Sequence, residues 1–176
     1  MRLMIDPLMV IIIYTLAGLT LKLSDFYGEH RTGYVPYFVT LLSAFFFALL
    51  MIESEYSSAI AIGIIVGVLL SGKVNRPNLI FGLILIISLS LLLGFVFPNQ
   101  IIIPISIFAY IDEIVHEKFN SRFEILNTFF RFRPVLKSFI AIFFLLNWLP
   151  LTYSISFLCF DLTYDLTSTF LLKDRN

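Results

Sequence analysis

Long runs without a charged residue, each about as long as a membrane-spanning helix, constrain this chain more than any other feature. A helix that crosses the hydrocarbon core of a bilayer, about 30 Å thick, needs about 20 mainly apolar residues. Residues 32–52 form one such charge-free run, and residues 56–72 form another. Only 14% of the sequence is charged, against about 25% in a typical soluble domain. The chain is therefore predicted to be an all-α integral membrane protein.

Two further apolar regions are too long for one crossing, and each contains turn residues. Residues 77–111 carry no charge and are interrupted by Pro98, Asn99 and Gln100, which predicts helices over 77–97 and 101–115. Residues 138–172 are interrupted at 147–150, where Trp suits a membrane interface and Pro suits a turn, so two spans are predicted there. With a first span at 7–21, we expect a compact bundle of about seven transmembrane helices, several of them short. The whole chain, 1–176, is predicted to be one domain.

The positions of Lys and Arg test this count, because cytoplasmic loops of membrane proteins collect positive residues. With seven spans, every Lys and Arg except Arg2 falls on one side of the bilayer. We therefore expect a multi-pass protein of the cell membrane with its N-terminus outside the cytoplasm and its C-terminus inside. If the last apolar region is one span instead of two, Lys173 and Arg175 move to the outside, and this alternative stays open.

Three of the helix ends predicted to face the cytoplasm carry carboxylates at helical spacing. Residues four apart share one face of a helix, so each set is expected to present its oxygens in one direction. Oxygen ligands are those that Mg²⁺ prefers, which makes Mg²⁺ the expected cofactor. The simpler interpretation is that carboxylates near helix ends are solvated, above all Glu29 and Glu117. The candidate metal ligands are Asp25, Glu29, Glu113, His116 and Asp165.

Two ionisable residues lie inside apolar stretches. Asp161 follows the apolar run 151–160 and is expected near mid-membrane, where an acid costs roughly 2.5–3.5 kcal/mol and usually marks a functional site. Lys137 lies one turn into the predicted sixth span. Together with Asp112, these residues are the candidate catalytic groups.

Basic residues are predicted at the same membrane face. Arg76 and Arg133 each precede a proline that begins a helix, and the free amides of a helix N-terminus favour anions. Lys73 ends the third span, and Asn78 either orients a ligand or bonds a neighbouring helix. Lys73, Arg76, Asn78 and Arg133 are the candidate substrate-binding groups, and the basic ones among them are expected to bind phosphate. The simpler interpretation of the basic residues is that they anchor lipid head groups nonspecifically.

Two other patterns concern packing and the membrane surface. Gly63 and Gly67 form a small-residue stripe, which predicts close helix packing on the third span. Residues 118–133 alternate charged residues with Phe, Ile and Leu. This pattern predicts an amphipathic cytoplasmic loop that lies along the membrane surface.

Several function classes find no support in the sequence. The formal net charge is zero, so no nucleic acid partner is expected, and lipid is the expected partner. Glycine-rich nucleotide loops and the G-x-S-x-G and H-E-x-x-H motifs are absent, so no nucleotide or redox cofactor is indicated.

The hypothesis from the sequence is a metal-dependent enzyme that acts on a lipid or isoprenoid phosphate at the cytoplasmic face. One alternative is a small ion-coupled transporter in which Asp161, Asp165 and Lys137 form a relay. Another is a non-catalytic membrane scaffold whose buried charges only pair with each other. Neither the substrate nor the oligomeric state is indicated by the sequence.

Overall fold

The computed structural model describes residues 6–118 and 134–173, which form seven α-helices and contain no β-strand. The prediction of an all-α chain is confirmed, and each predicted span contains one helix. The predicted amphipathic loop, residues 118–133, lies outside the described residues apart from its first residue. The helices are α1 (Pro7–His30), α2 (Tyr34–Glu53), α3 (Glu55–Leu70), α4 (Pro77–Leu93), α5 (Ile102–Lys118), α6 (Pro134–Leu145) and α7 (Leu151–Lys173).

Short polar and turn residues define the helix ends. The side chain of Asp6 accepts a hydrogen bond from the amide of Leu8 at 3.0 Å and caps α1. Ser54 alone separates α2 from α3, and its hydroxyl caps α3 by accepting from the amide of Ser57 at 3.1 Å. Gly94 has a left-handed φ of 102° and ends α4 before the predicted end at residue 97.

Small residues let particular pairs of helices approach closely. A Cβ atom on Gly18 of α1 would collide with the backbone carbonyl of Phe160 on α7. On α3, a Cβ on Gly63 would lie 2.5 Å from Ile105 of α5, and one on Gly67 would lie 2.5 Å from Ala109. The small-residue stripe therefore packs α3 against α5, as predicted.

The outer surface of the bundle is strongly apolar. Every helix exposes large apolar side chains, including Leu92 of α4 and Phe170 of α7. Within the described part of the chain, α1 and α2 are the two helices that are both long and apolar enough to cross a membrane. Three more, α3, α4 and α6, are apolar but shorter, with 16, 17 and 12 residues.

Candidate functional site

One end of the bundle contains a cavity of about 480 Å³. All seven helices contribute to its wall. α1, α3 and α5 do so mainly through their C-terminal halves, α4 and α6 mainly through their N-terminal parts, and α2 and α7 through residues 40–47 and 157–164, near their middles. The ends of α1, α3 and α5 and the beginnings of α4 and α6 therefore meet at the same end of the bundle. This is the end at which the sequence predicts the carboxylates and basic residues to gather.

An arginine joins α4 to the carboxylates of α1 on the cavity wall. Arg76, the residue that precedes α4, places its guanidinium 3.3 Å from Asp25 Oδ1 and 2.5 Å from Glu29 Oε1. The same guanidinium donates to the backbone carbonyl of Asp25 at 3.2 Å. Lys22 pairs with the other oxygen of Asp25 at 3.2 Å. Both predicted metal ligands of α1, Asp25 and Glu29, thus form ion pairs with Arg76, and Asp25 also pairs with Lys22.

A second ion pair crosses the cavity wall from α3 to α5. Lys73, just after α3, donates a hydrogen bond to Oε2 of Glu113. Glu113 is buried, whereas Lys73 is partly exposed. His116 lies almost one turn further along α5, is exposed, and also lines the cavity.

A third set of charges connects α6 with α7. Lys137 Nζ lies 2.5 Å from Asp161 Oδ2 and 3.0 Å from Asp165 Oδ2. Asp161 is 6% exposed and lines the cavity. Lys137 and Asp165 are not part of the cavity wall, so Asp161 separates them from the cavity.

Asp112 caps the beginning of α6. Its two carboxylate oxygens accept hydrogen bonds from the backbone amides of Val135 and Leu136, at 3.0 and 2.7 Å. These amides belong to the helix N-terminus that follows Arg133, where the sequence predicts a phosphate. An acidic side chain of the protein already binds there, and Arg133 itself lies outside the described residues.

Asn78 lies between helices and does not line the cavity. Its side-chain amide donates to the carbonyl of Ser24 on α1 at 3.1 Å and to Thr40 Oγ1 on α2 at 3.3 Å. A Cβ on Gly28 would lie 2.7 Å from this amide, so the approach is close. The geometry is that of a hydrogen bond that ties α4 to α1 and α2.

Among the described residues of the cavity wall, carboxylates outnumber cationic side chains. The carboxylates are Asp25, Glu29, Asp112, Glu113 and Asp161, and the cationic residues are Lys22, Lys73 and Arg76. Among the described residues, no three side chains of His, Cys, Asp or Glu are grouped so that they could hold a metal ion. A metal ion at this wall would therefore need ligands that the described side chains do not supply.

Apolar side chains line the rest of the cavity. Phe47 of α2 and Phe157 and Phe160 of α7 are core residues that also contribute to its wall. The cavity is therefore amphiphilic, with ionised groups from the loops and helix ends and aromatic groups from the bundle core.

The sequence did not single out Lys22, Tyr164 and Asn75 as residues of the cavity wall. Lys22 Nζ lies 5.0 Å from the ring centroid of Tyr164, an arrangement typical of a cation–π contact, and Asn75 precedes Arg76 on the wall. Helical spacing carried a signal for two of them, because Lys22 is three residues before Asp25 and Tyr164 is three residues after Asp161.

A second, smaller polar cluster lies away from the cavity, where α2 ends and α3 and α7 begin. Glu53 is buried and accepts a hydrogen bond from the Tyr153 hydroxyl at 3.1 Å, while its Oε2 has no hydrogen-bond partner among the described residues. The Tyr14 hydroxyl donates to Ser57 Oγ at 3.1 Å. At this end of the bundle, the Glu53 carboxylate is thus bound by the Tyr153 hydroxyl.

No model of a known protein family, no curated protein and no solved structure matches this chain. Its function is therefore inferred from its own residues and their geometry.

Proposed function

We propose that the chain is a multi-pass protein of the cell membrane whose seven helices cross the bilayer, with the N-terminus outside the cytoplasm. The apolar outer surface supports this. On α7, for example, Ile155, Leu158, Leu162 and Leu166 form an exposed stripe. Such a surface is stable against lipid and unfavourable against water. Helices as short as α3 and α6 fit a bilayer that thins locally around them.

We further propose that the cavity faces the cytoplasm and binds a lipid or isoprenoid phosphate together with Mg²⁺. The observation that carries this proposal is that one cavity joins ionised side chains to buried aromatic side chains. A ligand that complements both parts has an anionic head group and a hydrocarbon chain. Lys73 and Arg76 are the groups that would bind the phosphate, because both are partly exposed and line the cavity.

The charge on the cavity wall favours a divalent cation beside the phosphate. Carboxylates outnumber cationic groups among the described residues of the wall, so a phosphate alone would add charge of the same sign as these groups. Mg²⁺ usually takes one or two protein carboxylates and completes its shell with substrate phosphate and water, so a cluster of three protein ligands is not required. When phosphate binds Arg76 and Lys73, one or two of the carboxylates paired with them, Asp25, Glu29 or Glu113, would become available to the metal.

The reaction class that suits this arrangement is phosphoryl transfer or substitution at the phosphate. Catalysis of such reactions depends on positioning and on neutralising charge, which ion-paired groups around a bound phosphate supply. Asp161 is the candidate base, because it is buried on the cavity wall. Lys137 and Asp165 would hold it in place, and Asp112 would position α6.

The test is Mg²⁺-dependent binding of farnesyl phosphate and of phosphatidic acid to the purified protein in nanodiscs. Arg76→Gln and Lys73→Gln should each weaken binding by about tenfold to a hundredfold, the value of a lost charge-assisted hydrogen bond. Arg31→Gln is the matched control, because Arg31 is exposed and does not line the cavity. If neither phosphate binds the wild-type protein with Mg²⁺, the proposal fails. The scaffold alternative is then favoured if replacing Asp161 and Lys137 together by apolar residues leaves the fold intact.

The second candidate is an ion-coupled carrier, and the buried Glu53 favours it. A carrier needs ionisable groups towards both membrane faces, and Glu53 supplies one at the end of α2 while Asp161 lines the cavity. In proteoliposomes, flux abolished by Asp161→Asn and by Glu53→Gln would decide for a carrier. If the wild-type protein shows no ion flux, the carrier is excluded and phosphate binding remains the proposed function.

A further inference from the structure

A gap separates two helices that are consecutive in the chain. In α3 and α4, both fully described, no Cα atom of one helix comes within 8 Å of the other, although α4 packs against α2 and α1. On its other side α3 packs closely against α5 through Gly63 and Gly67. The wall of the bundle is therefore closed on one face of α3 and open on the other.

The gap forms an apolar groove of about 350 Å³. Among the described residues of its lining, Ser90 is the single polar one, and the Ser90 hydroxyl donates a hydrogen bond to the carbonyl of Ile86 at 2.6 Å. The described lining thus presents no polar group to a ligand, and what fits it is hydrocarbon. Its lining comprises Met51, Ile62, Ile65, Val66, Leu69, Leu83, Ile86, Ile87, Ser90, Leu91 and Phe95.

The groove adjoins the cavity. Ile65 of α3 and Leu83 and Ile86 of α4 line both spaces. The basic residues Lys73 and Arg76 lie at the ends of these same two helices. Along α4, Arg76 and Leu83 are about 10 Å apart at a rise of about 1.5 Å per residue.

The outer edge of the groove is exposed at the surface that would face lipid. Leu69, Ile87 and Leu91 line the groove and are themselves exposed. A hydrocarbon chain can therefore reach the groove from the side, without leaving an apolar environment. Withdrawal of a chain into water would instead carry a cost for each methylene group.

We propose that the groove between α3 and α4 is a lateral entrance that holds the hydrocarbon chain of a membrane lipid phosphate while its phosphate lies at Lys73 and Arg76. This inference rests on the proposed function and narrows its ligand to lipids that stay in the bilayer. Water-soluble phosphates share the head-group contacts and lack the contacts in the groove.

The experiment compares two tryptophan substitutions on α4. Ile87→Trp fills the groove, and Ile84→Trp is the matched control, because Ile84 is exposed and lines neither the groove nor the cavity. The ligands are farnesyl phosphate, which has a long chain, and dimethylallyl phosphate, which has a short one, each with Mg²⁺. We expect Ile87→Trp to weaken binding of farnesyl phosphate by about tenfold or more, and to leave dimethylallyl phosphate binding unchanged. Ile84→Trp should change neither.

The outcomes separate the entrance from the binding function. Unchanged binding of farnesyl phosphate to Ile87→Trp overturns the entrance and leaves the function standing. Equal loss of both phosphates from Ile87→Trp traces the effect to the head-group site and also overturns the entrance. Failure of both phosphates to bind the wild-type protein overturns the function and the entrance together.

A second measurement on the wild-type protein does not depend on folding of a variant. A lipid phosphate with a photoreactive group at the end of its chain is cross-linked in nanodiscs, and the labelled residues are mapped by mass spectrometry. Labels on Val66, Ile87 or Leu91 support the entrance. Labels confined to the exposed stripe of α7 overturn it.

Discussion

The two ends of the helix bundle differ in the groups that bind their carboxylates. At the cavity end, Asp25, Glu113 and Asp161 each lie against a lysine or an arginine. At the opposite end, Glu53 accepts a hydrogen bond from Tyr153 and, among the described residues, forms no ion pair. Acidic groups occur at both ends, and among the described residues cations pair with them at the cavity end alone.

Under the proposed function, this difference allows the ion pairs of the cavity end to exchange partners when a ligand binds. A buried charge is costly unless an opposite charge or hydrogen bonds compensate it. A network of several acids and several cations can re-pair around an anionic ligand and its metal while each charge stays compensated. Among the described residues, Glu53 has a single hydrogen-bond donor, the Tyr153 hydroxyl, and no cation with which to exchange it.

The largest expected effect on stability comes from removing the cation between α6 and α7. Lys137→Met leaves Asp161 and Asp165 without that partner and should lower the free energy of unfolding by about 3 kcal/mol, the low end for breaking a buried pair, because Lys137 is partly exposed. Unfolding in mixed detergent and denaturant measures this. Lys22→Met is the control and should cost less than about 1 kcal/mol, because Asp25 keeps Arg76. Equal losses from the two variants would mean that burial does not set the strength of these pairs.

A smaller loss of stability is expected at Asp112, whose carboxylate at the cavity end binds backbone amides. Asp112→Ala removes the acceptor for two amides of α6 and should cost about 2 kcal/mol, at the upper end for a helix cap. Asp112→Asn retains one oxygen acceptor and should cost about half as much. Thermal unfolding followed by circular dichroism measures both. If the two variants unfold like the wild type, Asp112 does not hold α6.

The smallest effects compare the same substitution at both ends. Glu113→Gln deprives Lys73 of its ionic partner and should cost about 1.5 kcal/mol. Glu53→Gln should change stability by less than about 1 kcal/mol, because the Tyr153 hydroxyl can still donate to the amide oxygen. Chemical unfolding of the two variants side by side measures the contrast. A larger loss from Glu53→Gln would reverse the comparison of the two ends.

Helices and their starting points were predictable from the sequence because they depend on local chemistry. Pro77 and Pro134 begin helices where the pattern of apolar residues and prolines indicates. Boundaries set by charge were less accurate. The first span was predicted to end at residue 21, before Lys22, whereas α1 continues through the charged residues Lys22, Asp25 and Glu29 to His30.

The partners within the site were not predictable, because they depend on which helices are neighbours. Lys73 and Glu113 are far apart in the chain and meet only because α3 packs against α5. Asp112 is a predicted catalytic residue, and the sequence did not indicate that its carboxylate binds two backbone amides of α6. Helical spacing predicts which residues share a face but not what that face contacts.

The central claim is that phosphate and Mg²⁺ occupy the cavity together, and calorimetric titration of each ligand in the presence and absence of the other tests it most directly. Because the coupling between two bound ligands is reciprocal, Mg²⁺ should strengthen farnesyl phosphate binding by about tenfold, and farnesyl phosphate should strengthen Mg²⁺ binding by the same factor. Arg76→Gln should reduce both factors equally. If each ligand binds with the same affinity whether or not the other is present, the two do not share the cavity and the account is wrong.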